Sequence, residues 1–137
     1  IRETVDEGGW FVGYLHAIKP GTGWSPFDDP EDFRRHAEWL VRQDDTWVAP
    51  MGEVGLYRLG WQSAALEILE LGDGRARFRL AVGDPRTPVR ETPLTIAIPA
   101  PGAAEASATG KPARGAAVRD GVVYVDALPG EFEVSWE

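Results

Sequence analysis

The sequence predicts an α+β chain in two parts, a helix-containing part over residues 1–71 and a small antiparallel β domain over 72–137. Three observations point that way. Five of the six Trp and both His lie before residue 72. That same stretch holds two segments with apolar residues at helical spacing. Beyond it the chain turns rich in Ala, Gly, Pro and Val, and strand-like alternation replaces helical spacing. Leu71-Gly72-Asp73-Gly74 at the join is a turn signal.

Gly8-Gly9 leads into the continuous apolar run Trp10-Phe11-Val12-Gly13-Tyr14-Leu15-His16-Ala17-Ile18. Its length and its aromatic and β-branched content predict a strand buried on both faces. Lys19-Pro20-Gly21-Thr22-Gly23 then reads as a loop. A helix starts at Asp28-Asp29-Pro30-Glu31-Asp32, where Asp29 can cap, Pro30 suits the first helical position and acids favour the positive helix end. Phe33, Ala37, Leu40 and Val41 form its stripe, with His36 beside it on the surface, and it stops near Gln43-Asp44-Asp45. Thr46-Trp47-Val48-Ala49 is a short β-prone segment, and Pro50 opens a second helix. Val54, Tyr57, Trp61, Ala64 and Ala65 make that helix's apolar side. Gly52, Gly55 and Gly60 each weaken it by roughly 1 kcal/mol against Ala, so it needs tertiary packing. Leu66-Glu67-Ile68-Leu69 either extends the helix or adds a strand.

Strands are expected at 75–82, 93–98, 122–125 and 132–136, with turns at Asp120-Gly121 and Pro129-Gly130. The tract Ala100 to Ala117 reads as a loop with room for one weak strand. Trp10, Trp39, Trp47, Trp61 and Trp136 are expected in the core. Asp28, Asp29, Glu31 and Asp32 serve helix capping rather than a metal, and Arg75, Arg77 and Arg79 form a solvated strand face. Glu53 and Tyr57, one turn apart, suit a structural hydrogen bond.

The 137 residues carry a net charge of −8. That disfavours nucleic acid, whose phosphates it repels, and anionic membrane surfaces. There is no Cys, so disulfides and thiolate chemistry are excluded. No apolar run reaches the ~20 residues of a membrane span. The first strong strand begins almost at once after Ile1, which reads as a piece of something longer or a chain whose leader was removed.

Gly8-Gly9-Trp10-Phe11-Val12-Gly13-Tyr14-Leu15-His16 resembles the last barrel strand of polysaccharide deacetylases (carbohydrate esterase family 4), which ends in a histidine, often as Leu-x-His. A helix like Phe33-Arg34-Arg35-His36-Ala37-Glu38-Trp39-Leu40 follows in that family, then a short strand like Thr46-Trp47-Val48-Ala49, then a helix carrying Gly52-Glu53-Val54 and Tyr57-Arg58. The β-rich second half resembles the small sandwich that some of these enzymes append. The implied fold is the final βα units of a deacetylase (β/α) barrel, followed by an antiparallel β-sandwich-like domain.

The resemblance implies a hydrolase that removes acetyl groups from N-acetylated sugar polymers. In the family a divalent metal, usually zinc, sits on an Asp-His-His triad, an Asp acts as base, and the strand-end His protonates the departing amine. That last role falls to His16, as an imidazole titrating near neutral pH allows. Tyr14 stands where Leu often lines the acetyl pocket, and Trp24, in the Gly/Pro loop after His16, is the candidate for stacking on sugar. The family's metal motif and base precede this stretch, and with two His the chain has no zinc-binding spacing of its own. No cofactor is therefore expected in this chain, and it is expected to be inactive alone. Its partners would be carbohydrate, together with the missing N-terminal part of the same protein or another copy of the chain. The family favours an extracellular or periplasmic location. The alternative is a carbohydrate-binding or structural β-rich module without catalysis.

Overall fold

The computed structural model describes residues 2–14, 18, 27, 29–43 and 46–137. The chain divides into two compact units, residues 1–51 and 52–137. It mixes helices with antiparallel sheet, as expected for an α+β chain carrying a small β domain. The barrel is not seen.

In the first unit α1 spans Arg2–Asp6 and α2 spans Pro30–Val41. The α2 start follows the sequence. Asp29 is extended at the cap and its Oδ1 accepts from the Glu31 amide at 2.8 Å, with Pro30 in the first turn. Such a cap contributes about 1 kcal/mol. Arg34 pairs with Glu31 and Glu38, and Arg35 with Asp32, so the acids have helix partners. Phe33, Ala37 and Leu40 are half-buried, whereas Val41 is exposed.

Two β expectations in this unit are corrected. Residues 10–14 of the predicted Trp10–Ile18 strand lie outside any strand, and Trp10, Phe11, Val12 and Tyr14 are exposed. Leu15–Ala17 of that run lie outside the described residues. Residues 46–50 are likewise not in a strand, with Trp47 and Val48 exposed. A strand apolar on both faces requires neighbours at both edges and cover on both sides. Among the described residues the first unit holds no strand that could supply them.

The second unit opens with α3, Met51–Gln62. Its strands are β1 (Ala64–Gly72), β2 (Arg75–Val82), β3 (Leu94–Pro99), β4 (Ala106–Thr109), β5 (Ala113–Arg119), β6 (Val122–Ala127) and β7 (Gly130–Trp136). A short helix, α4 (Thr87–Arg90), links β2 to β3. One sheet has the order β1-β2-β7-β4 and the other β3-β6-β5, with every neighbouring pair antiparallel. Their inward rows form one core, led by Phe78, Leu80, Ile96, Val123, Val125, Phe132 and Val134. Phe78 and Phe132 stand opposite in register, with ring centroids 5.6 Å apart. Leu56, Tyr57 and Leu59 of α3 pack on this core. Gly60 allows that approach, since a Cβ there would lie 3.0 Å from Leu94 Cδ2. Its cost in helix propensity thus has a packing reason.

β2 alternates exposed and buried residues along its whole length, as its sequence predicts. Ala64 and Ala65, expected on the helix, belong to β1, and so does Leu66-Glu67-Ile68-Leu69, which the sequence left open between helix and strand. Leu71–Gly74 is the tip of the β1–β2 hairpin, and the chain divides at Met51/Gly52 instead. The tract Ala100 to Ala117 holds two strands rather than a loop. β4 and β5 are poor in strand-favouring residues and owe their conformation to ladders with β7 and β6. Asp120 and Gly121, both with positive φ (51° and 72°), make the tight β5–β6 turn.

Leu80 and Ile68 point to the same side of one sheet, yet Leu80 is buried and Ile68 is 59% exposed. Urea unfolding is expected to show Leu80→Ala costing about 2–5 kcal/mol and Ile68→Ala under about 1 kcal/mol.

Candidate functional site

Of the three residues singled out by the sequence, the structure describes only Tyr14. It is 80% exposed and lies in no helix or strand. His16 and Trp24 lie outside the described residues. The other histidine, His36, sits half-buried on α2 among aromatic rings, its centroid 5.3 Å from Phe27 and 6.1 Å from Trp39. Phe27 also meets Phe33 edge-on at 5.5 Å. His36 is thus packed against aromatic neighbours, in a cluster that its spacing of three from both Phe33 and Trp39 on one helix could have revealed.

Among the described residues no group of three or more His, Asp or Glu is placed to hold a metal ion.

The Trp expectations are partly corrected. Trp10, Trp39, Trp47 and Trp61 are exposed rather than buried in a core. Trp136 does pack against the sandwich core, on the same side of β7 as Phe132 and Val134. Tyr57 packs on that core as well, so it faces the sandwich.

A shallow concavity of about 310 Å³ lies at the β4–β7 end of the larger sheet. It is lined by Glu105, Ala106, Ser107, Ser135, Trp136 and Glu137. Ser107 and Ser135 are opposite in register and offer hydroxyls, and the two Glu offer acceptors. No His, Cys or Lys lines it, so Glu105 and Glu137 are its only side chains that could act as a base toward a serine. Its size is at the lower limit of small-molecule pockets, ~300 Å³. The larger sheet's exposed face is charged but self-neutralising. Arg79 bridges Glu67 and Glu131 at 2.7 Å each, and these partners raise its pKa. The Arg stripe is thus engaged in cross-strand pairs rather than simply solvated.

A displaced carboxylate pKa often signals a functional group. Asp84 is such a group, lowered to about 2 by hydrogen bonds from the Arg86 side chain and backbone amide. Its surroundings are those of a turn. The Arg86 amide donates to Asp84 Oδ1 at 2.9 Å, and the Asp84 amide donates to Ser63 Oγ at 3.3 Å. Ser63 Oγ in turn bonds the Leu59 carbonyl at 3.1 Å. The loop after β2 is thereby tied to the α3–β1 junction, which gives Asp84 a structural role.

Because its folded pKa is depressed, the Asp84–Arg86 pair contributes fully above the ordinary carboxylate value of 3.8. The contribution disappears as pH falls towards about 2. Carboxyl-detected NMR titration is expected to show Asp84 titrating near 2 and moving up towards 3.8 in Arg86→Ala.

Comparisons with protein-family models, with curated proteins and with solved structures found no match to this chain.

Proposed function

We propose that the chain is the C-terminal part of a metal-dependent polysaccharide deacetylase, with the β-sandwich as a non-catalytic appendage. The order of elements carries this reading. A capped helix (α2), a linking segment with Trp47-Val48 and a helix bearing Gly52-Glu53-Val54 and Tyr57 lead into a small antiparallel sandwich. The family's last barrel strand and closing helices run in that order. The exposed Trp10, Phe11 and Val12 add support, because a run of that composition is suited to burial between barrel strands.

On this reading His16 is the proton donor to the departing amine, Tyr14 lines the acetyl pocket and Trp24 stacks on the sugar ring. The divalent metal, held by residues of the barrel's earlier strands, supplies polarisation of the acetyl carbonyl. The coding sequence upstream of Ile1 tests the assignment directly. It should contain an Asp-Asp pair and a His-x-x-x-His motif in frame, and their absence overturns the reading.

In the intact enzyme His16→Ala is expected to slow acetate release from chito-oligosaccharides by about 10²–10⁴-fold. Zinc content, read by mass spectrometry, should stay at the wild-type level, because the histidine donates a proton and does not ligate. The isolated chain is expected to release no acetate.

A further inference from the structure

β1 is an outer strand of its sheet. β2 pairs along one of its edges, and among the described residues no strand pairs along the other. Leu66, Ile68 and Leu71 stand opposite Leu80, Phe78 and Ala76 in register, so they point to the core side of the sheet. Their partners are at most 4% exposed, yet they are 40%, 59% and 69% exposed. The sheet orders give the reason: four strands face three. Exposure also rises along β1 with distance from α3. The result is an apolar strip beside an open row of backbone hydrogen-bonding groups.

The opposite face of β1 says what kind of chain could complete it. Glu67, Arg79 and Glu131 form one row across β1, β2 and β7, and Glu70, Arg77 and Glu133 form another. Arg79 reaches both its neighbours at 2.7 Å. Glu70 lies 3.2 Å from Arg75 and 4.0 Å from Arg77. Each row alternates in sign and ends at the open edge on a carboxylate. A strand added there continues the alternation only if it places cations opposite Glu67 and Glu70. A second copy of β1 would bring glutamates of its own to the same face, and like charges across strands destabilise pairing.

We infer that the open edge of β1 receives an extended segment of a partner polypeptide, apolar on one face and carrying Lys or Arg on the other. Main-chain hydrogen bonds supply the attachment, and the two faces supply selectivity. The irregularity between Ile68 and Glu70 sets the register that the incoming strand must follow.

Titration of the whole chain with a short synthetic peptide of alternating Val and Arg tests this, followed by amide NMR. Saturable shifts confined to β1 and its β2 neighbours are expected. The double variant Glu67→Lys, Glu70→Lys should weaken that peptide about tenfold and improve binding of a Val/Glu peptide. The variant sets Lys opposite Arg79 and Arg77, so its urea midpoint should fall modestly while the chain stays folded, and Ile68→Ser with Leu71→Ser should weaken both peptides. The inference is overturned if β1 amides do not respond, if binding ignores the charge reversal, or if the chain alone dimerises through β1.

Discussion

The inward row of β2 fixes the rest of the sandwich. Ala76, Phe78, Leu80 and Val82 alternate with Arg75, Arg77 and Arg79, and β2 lies between β1 and β7. A slip by one residue would turn the arginines into the core and the apolar residues out to water. Burying unpaired charge costs far more than any single contact returns, so the register has no close competitor. Once β2 is set, Phe132 must oppose Phe78 and Val134 must oppose Ala76. The same register brings Glu67 and Glu131 to the two sides of Arg79. The charged face is a consequence of core packing, and these exposed pairs add only a little stability of their own.

What the sandwich lacks bears on its role. Among the described residues its core holds no buried polar or charged group, and no buried side-chain polar atom is left without a hydrogen-bond partner. Catalytic sites place titratable groups in partly desolvated surroundings, where their pKa values can be tuned. The clearest displacement of a carboxylate here, at Asp84, comes from a turn contact with Arg86. Such an interior is held together by apolar packing.

Residues that carry their own instructions were legible in the sequence. Asp29-Pro30 sets a helix start through local hydrogen bonding, and β2 declares its two faces by strict alternation. Elements that depend on distant partners were not. β4 and β5, made of Ala, Ser, Gly and Arg, become strands because β7 and β6 offer ladders to them. The Leu71–Gly74 turn was visible as a turn, but the sequence could not show that it joins two strands of one sheet. Ala64 and Ala65, spaced to continue a helix, are drawn into β1 by the register with Ala81 and Val82. The candidate site was legible only through resemblance, since a lone histidine after an apolar run has no spacing partner to define a chemistry.

Phe11 and Phe78 make the same point at closer range. Both sit in short apolar stretches suited to strands, yet Phe78 is buried and paired while Phe11 is exposed outside any strand. The difference lies in what surrounds them. Phe78 has Ile68 on one side and Phe132 on the other. An apolar run of this kind specifies only half of a strand, and the neighbouring strands specify the rest. Trp10, Phe11 and Val12 therefore have the character of a strand that lacks its neighbours.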